Sequence, residues 1–123
     1  YASECDGGGI SAWKGPAGWH VVYPEISGYV IPTLIKWGAG DLAIRSADFL
    51  LRAQNADGSF NGIDGVPHPF DTSAVIEGLT CMYENTADLR YYEAAETAWK
   101  WMYTQVHPEG YLCNSPSMDA NHR

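Results

Sequence analysis

Apolar residues recur at helical spacing in four stretches of the chain, and breakers separate them. The first stretch predicts a helix from Pro24 to Gly38. Proline suits the first helical position, because an N–H there would have no intrahelical partner. Glu25 complements the positive end of the helix dipole. Pro32 lies inside this helix and is expected to kink it or start it afresh. The second helix is read from Asp41 to Gln54, with Asp41 as N-cap and Leu42, Ala43, Ala47, Leu50 and Leu51 on one face. The third runs from Asp71 to Asn85, again with the acid as N-cap, and carries Val75, Ile76, Leu79, Met82 and Tyr83. A short polar link, Thr86 to Asp88, leads to the fourth, from Leu89 to Gln105, whose Tyr91, Ala94, Ala95, Ala98 and Met102 form a core face.

Between the helices the chain reads as loop. Residues Tyr1 to Tyr23 form a Gly- and Trp-rich lead-in, broken at Gly7-Gly8-Gly9 and Gly15-Pro16-Ala17-Gly18, with Ile10 to Trp13 as a possible extended piece. Asn55 to Phe70 is dense in Gly, Asp, Asn and Pro, and the tail from Cys113 onward is polar. The two halves are alike. Glu25-Ile26-Ser27 opens one helical hairpin, and Asp71-Thr72-Ser73 opens the other roughly 45 residues later, a period common in helical repeats. Gln54 to Phe60 closes the first hairpin, and Gln105 to Tyr111 closes the second with one extra residue. Hairpins of this kind need neighbours to stack on. The domain organisation is therefore a lead-in over 1–23, two hairpins over 24–112 and a tail over 113–123.

Charge narrows the partners. The formal net charge is −8, and the seven basic residues are scattered, which argues against the basic stripe a nucleic-acid binder needs. No apolar run approaches the roughly 20 residues that span a bilayer. The chain opens on Tyr1 without a basic and apolar leader, so the expectation is a cytoplasmic protein or a piece of a longer one. Three cysteines, Cys5, Cys81 and Cys113, include no Cys-x-x-Cys pair. They read as reduced thiols with Cys81 in the core, a Cys5–Cys113 bridge being the alternative.

Gln54-x-x-x-Gly58-x-Phe60, following Phe49-Leu50-Leu51, resembles the QW motif of the squalene-cyclase and prenyltransferase-like α/α toroids. In that family the glutamine ties helix ends together and the aromatic stacks upon it. Gln105 to Tyr111 is similar to a degraded second copy. The segment from Tyr23 to Leu34 and Phe70-Asp71-Thr72 are similar to bacterial toroid proteins associated with polysaccharide biosynthesis, and to six-hairpin enzymes such as unsaturated glucuronyl hydrolases and sugar epimerases. The resemblance covers about Gly8 to Leu112. It implies an all-α fold, a fragment of an α/α toroid (α/α barrel), that binds or acts on an oligosaccharide or polysaccharide by hydrolysis, elimination or epimerisation. The Asp-x-Asp-Asp of terpene cyclases, the Asp-x-Cys of zinc-dependent prenyltransferases and the Cys-Gly-Glu-Gln of thioester proteins are absent from the sequence. An isoprenoid-binding toroid and a non-catalytic interaction module are the alternatives. Self-association, or further hairpins of a longer parent chain, would complete the structure.

Glu25 and Asp71 are the first candidates for chemistry. Both open helices that would face a cavity, where two carboxylates can serve as acid and base. A helix cap and a dipole partner would equally explain them. His20 and His68 precede the two acidic helix starts and could orient a carboxylate, although a surface loop also explains a histidine. Trp19, Tyr23, Tyr29 and Phe70 could stack on sugar rings. Glu77 would line the cavity or sit solvated at its edge. Asp57-Gly58-Ser59 and Asn61 to Gly65 faintly resemble calcium loops, but they lack the ligand alternation and closing Glu, and turn chemistry accounts for them. No metal-ligand spacing appears, so neither a metal nor a cofactor is expected.

Overall fold

A computed structural model describes residues 8–11, 14–19 and 22–112 of the chain. They form a small all-α domain of four helices: α1 (Pro24–Lys36), α2 (Gly40–Ala53), α3 (Pro69–Thr86) and α4 (Leu89–Thr104). The lead-in is more ordered than the sequence suggests. Strands β1 (Lys14–Gly15) and β2 (Gly18–Trp19) pair antiparallel around Pro16-Ala17, a setting that suits proline in a tight turn. A bridge from Ser11 to Val22 then brings the base of this hairpin to the start of α1.

The helices α1 and α3 pack most closely, with α2 against α1 and α4 against α3. α2 touches α4, so the arrangement is two hairpins laid side by side. The shared core holds Ile31, Leu50, Phe60, Val75, Leu79, Met82 and Tyr91. Tyr91 donates its hydroxyl to Asp48 at 2.8 Å, linking α4 to α2. Burial first, and then that hydrogen bond to Asp48, pushes the Tyr91 phenol up to about 12.

The closest approach is between glycines. A Cβ on Gly78 would lie 2.6 Å from the Gly28 carbonyl oxygen, and one on Gly28 would lie 2.6 Å from the Ala74 oxygen and 2.8 Å from Val75 Cα. Pro32 takes part in this contact. α1 runs through it without restarting, and having no N–H, proline leaves the carbonyl of Gly28 without its usual helical donor. That oxygen faces α3. Glu25 meets Asp71 and Gly28 meets Ala74 to Gly78, so the two helices advance in the same direction.

Two caps differ from the sequence reading. α3 starts at Pro69 with His68 as N-cap, and Asp71 sits in the first turn. α2 starts at Gly40 with Ala39 as N-cap, and Asp41 follows inside. In both cases residues before the acid already have helical geometry, so the acid faces the first turn from within. The acid that does cap is Asp88, which accepts the Arg90 N–H at 3.0 Å at the start of α4.

Gln54, the C-cap residue of α2, makes two hydrogen bonds through its side-chain amide. Nε2 donates to the Gly58 carbonyl at 3.1 Å and to the Ala94 carbonyl at 2.9 Å, tying the hairpin's closing turn to α4. Phe60 is fully buried in the shared core. Asp57 accepts from both Ser59 N and Ser59 Oγ, and Asp64 accepts from Val66 N, which is turn chemistry.

Gly78→Ala is expected to cost about 1–3 kcal/mol, because the added methyl meets backbone that cannot yield. Gly40→Ala has open space at its Cβ position and is expected to gain about 0.5–1 kcal/mol from helix propensity. Urea unfolding followed by circular dichroism measures both, and equal shifts for the two variants would contradict the close approach.

Candidate functional site

The parallel packing of α1 and α3 sets their N-terminal ends beside each other. There the carboxyl of Glu25, in the first turn of α1, meets that of Asp71, in the first turn of α3. Burial raises the Glu25 carboxyl above its ordinary range, and the charge and hydrogen bond of Asp71 raise it further. Burial also raises Asp71, against the pull of His68 and of the Glu25 hydrogen bond. The positive ends of two helices oppose this rise. Desolvation wins because two adjacent carboxyls cannot both ionise cheaply. The two carboxyls titrate as a coupled pair, both raised.

Three neighbours complete the cluster. Tyr23, the N-cap residue of α1, is half-buried, and its phenol is raised by burial and by the charges of Glu25 and Asp71. His68, the N-cap residue of α3, is buried and directs Nε2 at both oxygens of Asp64, at 2.9 Å and 2.8 Å. That hydrogen bond and the Val66 N–H hold Asp64 below the usual carboxylate range, so Asp64 is the acceptor and Nε2 carries the proton. Gly62 closes the floor. A Cβ there would lie 2.6 Å from His68 Cδ2 and 3.2 Å from Asp71 Oδ2.

The outer edge is aromatic. Tyr29 and Phe70 meet edge to face with ring centroids 6.5 Å apart, and they are 45% and 54% exposed, so both keep a face toward solvent. Tyr29 lies one turn beyond Glu25, and Phe70 precedes Asp71.

Of the residues singled out in the sequence, Glu25, Asp71, His68, Tyr23, Tyr29 and Phe70 come together here. Trp19 lies in β2, paired with Lys14. His20 falls outside the described residues, as do Cys5 and Cys113. Glu77 is exposed on α3 and acts electrostatically on Cys81, away from the acid pair. Cys81 packs against the core, and burial followed by Glu84 and Glu77 raises its thiol, which disfavours the thiolate. Among the described residues no three His, Cys, Asp or Glu side chains group as metal ligands.

The repeat register also differs from the sequence reading by one residue. Ile10 N donates to Ser27 Oγ, and Phe60 N donates to Thr72 Oγ1, each at 3.0 Å. Ser27 therefore corresponds to Thr72, Glu25 to Phe70 and Ile26 to Asp71. Asp64 and Gly62 were missed as site residues because their Gly62-Ile63-Asp64-Gly65 setting reads as a plain turn. The available signal was the four-residue spacing of Asp64 and His68.

Comparison of the chain with protein families, curated proteins and solved structures finds no match.

The acid pair generates a pH dependence. Both carboxyls are raised in the folded protein relative to the unfolded chain, so across their titration range its stability is greater on the acid side. Stability then falls as pH rises from the ordinary carboxylate range through the raised range of the pair. Glu25→Gln is expected to flatten this decline and to raise stability at neutral pH, with Asp64 and Asp88 unaffected. Urea midpoints of variant and parent between about pH 4 and about pH 8 measure it, and parallel profiles would contradict the raised Glu25 carboxyl.

Proposed function

We propose that the joined N-terminal ends of α1 and α3 form a carbohydrate site, in which Glu25 delivers a proton and Asp71 receives it back. The observation that carries this reading is the meeting of the Glu25 and Asp71 carboxyls beside the exposed Tyr29–Phe70 edge. A sugar offers an apolar ring face and a fringe of hydroxyls. An aromatic edge takes the first, and carboxyl oxygens take the second.

The separation of the carboxyls favours one kind of chemistry. Retaining and inverting glycosidases hold theirs about 5–5.5 Å and about 6.5–9.5 Å apart. Two carboxyls in direct hydrogen bond act instead as one acid–base unit, which suits proton transfer in an elimination or epimerisation. His68, held by Asp64, orients Asp71 electrostatically, and Tyr23 supplies a second hydroxyl at the pair.

For the fold we propose an arc of an α/α toroid. Parallel α1 and α3 would form its inner wall, with α2 and α4 outside. The support is the side-by-side packing of the hairpins and the hydroxyl contacts of Ser27 and Thr72, which recur from one hairpin to the next.

The test is a proton–nitrogen NMR titration with neutral oligosaccharides, uronic-acid oligosaccharides and farnesyl diphosphate. Saturable shifts confined to Tyr23–Tyr29 and His68–Asp71 with one sugar class are expected. Asp71→Asn is expected to abolish them, and Phe70→Ala to weaken binding by roughly tenfold, the worth of one aromatic contact. Shifts with the diphosphate alone, or with no ligand in the panel, would overturn the carbohydrate reading.

A further inference from the structure

Gly8, Gly58 and Gly110 share a left-handed backbone conformation, and among the described residues Gly8 and Gly58 are docked. Gly58 N donates to the Asn55 carbonyl at 2.9 Å, and Asn55 N to the Ser59 carbonyl at 3.0 Å. Gly110 N donates to the His107 carbonyl at 2.7 Å, and His107 N to the Tyr111 carbonyl at 2.7 Å. The glycines share one left-handed conformation: Gly8 has φ 85°, Gly58 96° and Gly110 93°.

Each docked turn sits on the hairpin that follows it. A Cβ on Gly8 would lie 2.6 Å from the Arg45 oxygen of α2, and one on Gly58 would lie 2.5 Å from the Thr97 oxygen of α4. Two residues on, Ile10 and Phe60 donate their N–H groups to Ser27 of α1 and Thr72 of α3. Among the described residues, nothing lies within 4 Å of the Cβ position of Gly110.

The neighbouring surface has the same history. A groove of about 460 Å³ opens between α3 and α4, with Ile76, Tyr83, Tyr92, Ala95 and Trp99 on its walls. In the register fixed by Ser27 and Thr72, Ile76 corresponds to Ile31. In the register fixed by the closing turns, Ala95 and Trp99 correspond to Ala43 and Ala47. Those three counterparts in the first hairpin are fully buried, in the core shared with the second. In the second hairpin Trp99 is 56% exposed and Tyr92 47%.

We propose that α3, α4 and the Gly110 turn form a docking face for one more helical hairpin of the same repeat, joined in series. Its outer helix presents a backbone carbonyl to Gly110. Its inner helix presents a Ser or Thr hydroxyl, in the first turn and a half, to the Leu112 N–H. A second copy of this chain is a poorer occupant, because its equivalent carbonyl and hydroxyl, at Arg45 and Ser27, already hold its own Gly8 and Ile10. The inference rests on repeat geometry and is independent of the carbohydrate reading.

The test extends residues 1–112 with a second copy of residues 61–112. Hydrogen exchange at the Leu112 amide is expected to slow roughly 100-fold, because opening it now requires opening a packed interface. Thr72→Val in the appended copy alone is expected to reverse this. A second extended chain carries Ser73→Gly in the original α3, which recreates at the new junction the small-residue approach of Gly28 and keeps the test open if the serine obstructs docking. Unchanged exchange at Leu112 in both extended chains would overturn the proposal. So would dimerisation of the unextended chain that Trp99→Asp abolishes, since a second copy would then be the occupant.

Discussion

The contact of Gly28 with Gly78 governs the rest of the structure. Two helices with side chains at the crossing pack 8–10 Å apart. Here a backbone carbonyl of α1 meets the bare Cα side of α3, so the axes come closer than side chains would allow. Pro32 contributes by leaving the Gly28 oxygen without a helical donor. One turn toward the N-termini, Glu25 is half-buried and Asp71 buried between the same two helices. Glu25 and Asp71 thereby share a partly desolvated site, and burial there raises both carboxyls above their ordinary range.

A second constraint holds the hairpins in register. Side-chain hydroxyls on α1 and α3 accept backbone N–H groups from the segment that precedes each helix, where a buried amide would otherwise lack a partner. Gln54 does the complementary work outside, bridging its own closing turn to the Ala94 carbonyl of α4. The glycine of each turn is needed twice over. Its φ is positive, and where the turn is docked its missing Cβ lets the chain approach the next outer helix. The segment Gly8–Ile10 belongs to this scheme, which is why it is ordered ahead of α1 although its composition reads as loop.

Much of this was legible. The four helices, most of their core faces and the closing turns follow from periodicity and breakers. The cap assignments were not, because an Asp one or two residues inside a helix looks the same in sequence as an Asp at its cap. Pro69 was the overlooked sign, since proline favours the first helical position and moves the cap back to His68. The glycine crossing was hidden for a different reason. Isolated glycines inside helical patterns reveal that something approaches closely, but not what. The small hairpin at Lys14 to Trp19 depends on bridging from Ser11 to Val22, a non-local contact that local pattern does not encode.

The hydroxyl register bears on what the acids are for. If Glu25 and Asp71 served only to complement helix dipoles, each hairpin would be expected to carry its acid at the same place in the repeat. They occupy different places: Phe70 stands where the first hairpin has Glu25, and Ile26 stands where the second has Asp71. Neither helix has its N-cap satisfied by a side chain, so capping does not explain them. What the offset achieves is a meeting across the α1–α3 junction, with the carboxyls in contact and Phe70 turned outward against Tyr29. Apolar residues at both acid positions would relieve the desolvation of two carboxyls. Their cost is therefore not repaid by capping or by a shared repeat position, and the junction they form is rimmed by the exposed Tyr29 and Phe70.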